Sequence, residues 1–240
     1  AEHAVGVEDL IKSSMQAKLI FITGTNTGTG KTLLTCLGLH HLRQHNHAAA
    51  GFKPFCSGSR SDAHHIHFHS GKTWNIEEVN PWHFAPPLSP GAMPKGSQIG
   101  MAQVIEQIRG KQTQCSHLIV EGAGGIMSPL GADYHFGDLI KHFKPSLLLA
   151  APNKLGVLNQ VLLASDYLKQ TKKHIPLKIV LMGQKKADPS SQSNAKVLRE
   201  WIPNSSVIEL PFMGPQAKSR ASIQKNGQRL NLALKALFST

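Results

Sequence analysis

The chain has 240 residues, a formal net charge of +12, 40% hydrophobic and 17% charged residues. That length allows one large α/β domain or two small ones around a substantial core, and the balance is ordinary for a soluble globular protein. No apolar run approaches the roughly 18 residues that a membrane span needs, and Ala1 to Gln16 carries acidic residues before any apolar stretch, unlike a secretory signal. The basic balance suits nucleotide, phosphate or carboxylate ligands. A nucleic-acid partner is not expected, because only Lys172-Lys173 and Lys185-Lys186 are adjacent and no aromatic-interleaved basic stripe appears. Cys36, Cys56 and Cys115 are odd in number and widely spaced, which reads as reduced thiols in a cytoplasmic protein.

Residues 1–17 read as an N-terminal extension or tag remnant, with Met15 a natural start, and 18–240 as a single domain. The apolar run Leu19 to Ile22 predicts a strand and Leu33 to His45 a helix. Between them lies Gly24-Thr25-Asn26-Thr27-Gly28-Thr29-Gly30-Lys31-Thr32, a phosphate-binding P-loop. Its glycines let backbone N–H groups close around phosphate oxygens at the positive end of the following helix. Lys31 would reach the outer phosphates and Thr32 would offer its hydroxyl to Mg2+. The usual motif has a glycine where Thr25 stands, and here Gly24 lies one residue further back, so the loop is a lengthened variant.

Ala48 to Pro54 reads as the second strand, Trp74 to Gly96 largely as glycine- and proline-rich chain, and Gln98 to Arg109 as a helix. Further strands are expected at His117 to Gly122, Ser146 to Ala151, Leu177 to Met182 and Val207 to Leu210, with a helix over Gly156 to Gln170. The alternation predicts an α/β fold of the P-loop NTPase kind: a mostly parallel sheet with helices on both faces. Ligands in such folds sit at the carboxyl ends of the strands.

Lys53, at one such end, can hold an anion as a point charge, or it is a solvated strand-end lysine. Ser57 can orient the same anion. Mg2+ takes oxygen ligands, usually one or two carboxylates with a hydroxyl and phosphates; Thr32, Asp62 and Glu121 supply that set if their strand ends meet. Glu121 follows three apolar residues and has no evident packing role, whereas Ser61-Asp62 would also serve as a helix N-cap pair. His64-His65-Ile66-His67-Phe68-His69 puts His65 and His69 at i,i+4 spacing on a helix, read here as a solvated face rather than a metal site. Ser57 has no adjacent histidine base and Ser128 is followed by proline, so covalent catalysis is not indicated.

Taken together these residues resemble the dethiobiotin synthetase family. The lengthened loop, Gly51-Phe52-Lys53-Pro54 with Ser57-Gly58-Ser59 and Ser61-Asp62-Ala63, Asn80-Pro81 with Phe84-Ala85, Pro87 and Ser89-Pro90, Val120 to Gly125 with Pro129-Leu130, and Lys154-Leu155-Gly156 with Asn159 are similar to its blocks, in order. The resemblance implies carboxylation and cyclisation of 7,8-diaminopelargonate with CO2 and ATP to dethiobiotin, ADP and phosphate, through a carbamate and a carbamic-phosphoric anhydride. It implies Lys53 and Lys31 as catalytic residues and Thr32, Asp62 and Glu121 as Mg2+ ligands. Nucleotide would lie on Gly28, Thr29, Gly30, Lys31, Thr32, Leu33, Asp62, Glu121, Gly122, Ala123 and Gly124, with the adenine on Gln184, Lys185, Pro211, Phe212 and Met213. Thr27, Lys53 and Ser57 would meet the diamine or its carbamate, and Gly156 and Asn159 would do so from the partner subunit of a homodimer. Asn26 replaces the family's usual aspartate, Gly28 an acidic residue, Thr29 a valine, and Gln184 an asparagine. A partition-type P-loop ATPase would carry a lysine where Asn26 stands, and a cobyrinate amidotransferase would need a glutaminase domain for which 240 residues leave no room.

Overall fold

The computed structural model describes residues 16–170, 175–186 and 188–238, so residues 1–15 of the extension expected over 1–17 lie outside the described residues. The strands, in chain order, are β1 (Lys18–Gly24), β2 (Ala49–Phe52), β3 (Phe55–Ser57), β4 (Trp82–Phe84), β5 (His117–Glu121), β6 (Ser146–Pro152), β7 (Leu177–Met182) and β8 (Ser206–Leu210). Six of them form one parallel sheet in the order β2-β5-β1-β6-β7-β8. Their apolar runs are continuous rather than alternating because both faces are covered: every residue of β2 and β5 is buried. The short β3 and β4 pair separately in parallel, with the rings of Phe55 and Trp82 stacked 5.1 Å apart.

The helices are α1 (Lys31–Gln44), α2 (Ser61–His69), α3 (Ile76–Val79), α4 (Pro94–Ser97), α5 (Met101–Gln112), α6 (Phe136–Phe143), α7 (Val157–Lys169), α8 (Asn194–Trp201), α9 (Arg220–Arg229) and α10 (Asn231–Phe238). α1 packs on β1, β2 and β5 and is itself covered by α2, α9 and α10, while α5, α7 and α8 pack on β5, β6 and β8. The chain leaves β1 toward β2 on one side, and β6 lies on the other, so the order reverses at the carboxyl end of β1. A parallel sheet opens a crevice at such a point, and the P-loop sits there.

Several boundaries differ from the sequence expectation. The second strand stops at Phe52, because Asn80 takes over the backbone beyond it: its Nδ2 donates to the carbonyls of Lys53 and Pro54 at 2.8 and 3.2 Å. The glycine- and proline-rich stretch after Trp74 contains α3, β4 and α4. Helix α6 has no counterpart in the expectation. Glycine stands in its first turn, and it is stabilised by a cap, the Asp138 carboxylate accepting from the His135 amide at 3.0 Å. Ser61-Asp62 is not an N-cap pair, since Arg60 occupies the N-cap of α2.

Gly38, inside α1, lets α10 dock: a Cβ there would lie 2.3 Å from Cε1 of the fully buried Phe238. Alanine ordinarily favours a helix over glycine by about 1 kcal/mol. Here Gly38→Ala is expected to destabilise instead, by about 1–3 kcal/mol through overpacking, read as a lowered midpoint in chemical denaturation; an unchanged or raised midpoint would contradict this docking.

Candidate active site

Strand register places the central pair of charges. Phe52 is in register with Val120, so the next residues of the two chains, Lys53 and Glu121, emerge side by side at the carboxyl ends of β2 and β5. Lys53 Nζ lies 2.6 Å from Glu121 Oε1, and the two residues are only 4% and 1% exposed. Two hydroxyls from α1 complete the shell, Thr32 Oγ1 donating to Oε1 at 2.8 Å and Thr35 Oγ1 to Oε2 at 2.7 Å. A buried carboxylate is tolerable only when paired and hydrogen-bonded in this way. Burial opposes charge on Lys53, but the attraction and hydrogen bond of Glu121 outweigh it and hold the ammonium above its ordinary pKa.

The P-loop connects β1 to α1 beside this pair. Gly30 caps α1 at φ +93°, a left-handed conformation, and a Cβ there would also lie 2.9 Å from the Met182 side chain of β7. Gly24 is required where it stands, because a Cβ would meet Thr29 Oγ1 at 2.3 Å. The Asn26 side chain accepts from the Thr27 amide at 2.7 Å, and its carbonyl accepts from Lys31 Nζ at 2.8 Å. Burial, and then the charge of Lys53, bring the Lys31 pKa down to about 8.

A cleft of about 760 Å³ opens over these groups. Among the expected site residues Thr27, Gly28, Gly30, Lys31, Thr32, Leu33, Lys53, Ser57, Asp62, Ala123 and Gly124 line it. Glu121 lies beneath Lys53 and Thr32, Gly122 is buried against the Phe136 ring, and Thr29 turns its hydroxyl back to the Asn26 carbonyl at 3.3 Å. Ser57 Oγ is buried without a hydrogen-bond partner among the described residues. Asp62 is held by Lys218, whose Nζ is 2.8 Å from Oδ1. Burial would raise the Asp62 carboxyl, yet the Lys218 hydrogen bond and the charges of Lys53 and Lys218 carry it below its ordinary value. Cys56 also lines the cleft, but burial pushes its thiol up and Sγ donates to the Ser59 carbonyl at 3.3 Å, so it is not an activated nucleophile.

A second pocket of about 370 Å³ lies at the carboxyl ends of β7 and β8, lined by Gln184, Pro211 and Phe212 with Asn153 and Glu209. Met213 packs partly against the core and Lys185 is exposed; neither lines this pocket. Gly156 and Asn159 are exposed at the start of α7, outside both pockets, and α7 is tied to the P-loop by Thr25 Oγ1 donating to Gln160 Oε1 at 3.1 Å.

Sequence reasoning missed Thr35, Lys218 and the anchoring role of Asn80. Thr35 was detectable, lying one helical turn after Lys31 and facing the same way. Lys218 belongs to a loop with no motif around it. The histidine run does form the helix α2, but only in part a solvated face. His69 is buried, and its Nε2 donates to the Lys218 carbonyl at 3.2 Å. Among the described residues no three His, Cys, Asp or Glu side chains gather as a metal cage.

Removing one member of the buried pair leaves the other uncompensated. Lys53→Met alone is expected to cost about 3–5 kcal/mol of folding stability, and the double variant with Glu121→Gln less than the sum of the two single changes, by about 2 kcal/mol. Denaturant titration of the four proteins measures this; additive losses would refute the coupling.

A family profile described as an AAA domain matches residues 18–232. The ATP-dependent dethiobiotin synthetase BioD of Bacillus licheniformis is 40% identical over 162 residues, 64% of this chain and 68% of the relative. That of Endomicrobium trichonymphae is 33% identical over 202 residues, covering 81% and 93%. BioD 1 of Escherichia coli is 29% identical over 231 residues, covering 91% and 99%. A putative plasmid partition protein from Borrelia burgdorferi, solved with AMPPNP, superposes with a TM-score of 0.57 over 91% of this chain and 99% of that one, at 9% identity, a likeness of fold alone. With the relatives matched along most of their length, and the lengthened loop, Lys53 and Asp62 lining one cleft above Glu121, the chain belongs to the ATP-dependent dethiobiotin synthetase family.

Proposed function

We propose that this chain closes the ring of dethiobiotin from 7,8-diaminopelargonate, CO2 and ATP. One amine adds to CO2 and loses a proton, giving a carbamate; a carbamate oxygen takes the γ-phosphoryl group, releasing ADP. The second amine then attacks the carbonyl of the carbamic-phosphoric anhydride, and phosphate leaves as the cyclic urea forms. The observation that carries this reading is the fixed ammonium of Lys53 in the P-loop cleft, with the unpartnered Ser57 hydroxyl lining the same cleft. Those two groups suit an anion that must sit still beside a phosphate chain. Thr27 lines the same cleft and Leu88, 55% exposed at its lip, offers apolar surface to an aliphatic chain.

The phosphates lie on Gly28 to Leu33, with Lys31 leaving the Asn26 carbonyl to neutralise charge on the group in transfer. Thr32, Asp62 and Glu121 form an all-oxygen donor set with two carboxylates, which fits Mg2+ completed by phosphate oxygens. Bound there, the ion would draw charge off the transferring phosphoryl group. Gln184 and Pro211 to Met213 take the base, with Lys185 at the rim. Because Gln184 Nε2 already donates to the Met182 carbonyl at 2.7 Å, its Oε1 is left as an acceptor for an exocyclic amine such as that of adenine. Gly156 and Asn159 serve the site of a second protomer; exposed Leu155 and Leu163 beside them support a homodimer. Among the described residues no helix is long and apolar enough to cross a membrane. The free thiols of Cys36, Cys56 and Cys115 support a cytoplasmic enzyme.

Purified protein given diaminopelargonate, bicarbonate, Mg2+ and ATP is expected to release phosphate and dethiobiotin in equal amounts. No diamine-dependent phosphate would overturn the proposal, and better turnover with GTP than ATP would overturn the base assignment. Lys53→Gln is expected to abolish turnover while retaining nucleotide binding.

Lys31 gives the pH dependence. With its pKa at about 8 in the free protein, the side chain is largely neutral above that pH, whereas phosphates favour the ammonium. ATP affinity is therefore expected to fall above pH 8 by up to about tenfold per unit. Titration calorimetry in buffers of different ionisation enthalpy should show proton uptake there; affinity independent of pH between 7 and 9 would remove Lys31 from the phosphate site.

A further inference from the structure

The two carboxylates of the cleft are neutralised in different ways. Glu121 lies beneath Lys53 and two threonines, all three within hydrogen-bond distance of its carboxylate. Asp62 instead meets Lys218 across a pair whose side chains are 39% and 35% exposed, through the single hydrogen bond at 2.8 Å. Half-exposed pairs of this kind add little to folding, yet this one joins α2 to the loop following β8 across 156 positions of sequence.

That loop is anchored on both sides of the charge. The Lys218 carbonyl accepts from Nε2 of the buried His69, on the same helix as Asp62. The next residue, Ser219, caps α9, its side chain accepting from the Ser222 amide. The backbone is thus pinned while the ammonium, on a four-carbon stem, remains free to swing. Earlier in the same loop Pro211 and Phe212 line the second pocket, and Pro215, Ala217 and Lys218 line the main cleft.

Resting on the functional reading above, we infer that Lys218 is an exchangeable counter-ion that holds Asp62 closed to divalent metal until nucleotide is present. A metal ion alone would have to displace a like charge from Asp62 and leave that ammonium beside it without a partner. Nucleotide removes the obstacle, because its phosphates offer the Lys218 ammonium a new anion within the same cleft while completing the metal's oxygen shell. Metal therefore binds with nucleotide rather than before it. The buried His69, which the ring closure does not use, keeps the swinging side chain within reach of both anions.

The test is Mn2+ binding to the nucleotide-free protein, followed by electron paramagnetic resonance, for the parent, Lys218→Met, Lys218→Arg and the Lys218→Met/Asp62→Asn double variant. Lys218→Met is expected to bind Mn2+ about tenfold more tightly, Lys218→Arg to return to the parental affinity, and the double variant to lose the gain. Thermal melts check that each protein is folded. Unchanged or weaker Mn2+ binding in folded Lys218→Met would overturn the inference, as would a gain that survives Asp62→Asn. The ring-closing assay of the parent reads the functional proposal separately: a parent without diamine-dependent phosphate release but with this metal pattern would sink the reaction and leave the counter-ion role of Lys218 standing.

Discussion

The buried pair of Lys53 and Glu121 is the interaction on which the rest of the site depends. Two opposite charges at 2.6 Å, both nearly inaccessible, impose a large desolvation cost that attraction alone seldom offsets. The fold meets that cost with the hydroxyls of Thr32 and Thr35, both from the first helix after the P-loop. β2, β5 and α1 are therefore held together at their functional ends by polar as well as apolar contacts, and none of the three can shift without stranding a charge. Arg60 extends the hold outward, donating to the Asn80 side chain and carbonyl at 3.1 and 2.7 Å while Asn80 grips the backbone at Lys53. A pair so firmly fixed suits a reaction in which a weakly nucleophilic oxygen must be presented to a phosphorus atom, since orientation there carries much of the rate.

The loop departures acquire a physical meaning from the same geometry. Asn26 keeps the oxygen that receives the Thr27 amide and gives up only the charge, so the extension is shaped as an aspartate would shape it. The displaced glycine at Gly24 follows from the crowding of Thr29 Oγ1 against it. At Asn26 the loop has exchanged a charge for an amide while keeping the oxygen that accepts from the Thr27 amide.

How much of this was legible in the sequence depended on whether the determinant was local. Continuous apolar runs gave the six parallel strands, because burial on both faces leaves a signature within each run. The P-loop, Lys53 and Glu121 were legible for a related reason: a polar residue directly after a buried strand in an α/β chain has a strand end to occupy. Helix α6 was not, since its stability comes from packing of Phe136 and Leu139 and from one capping carboxylate rather than from a long periodic pattern. Lys218 was not either, because its significance is a contact with Asp62 far away in the chain. The histidine run, read as a solvated helix face, departs from that reading at His69, which is buried with its Nε2 against the Lys218 carbonyl far along the chain.

The three lysines of the cleft form a series from floor to mouth. Lys53 is locked against a carboxylate and holds its proton firmly. Lys31 is equally buried but holds only a backbone carbonyl, and its pKa falls to about 8. Lys218 is half-exposed and rests on a carboxylate that is equally so. Burial alone does not order them, since Lys31 and Lys53 are similarly enclosed; what differs is the anion each has in the absence of ligand. A cation with a permanent anion can orient a reacting group but gains little from phosphate. One held only by a neutral carbonyl gains most, because ligand charge replaces a dipole. On the proposed reaction, phosphate affinity would thus come from the lysine that the empty protein leaves without an anion, and fixed orientation from the one that it pairs.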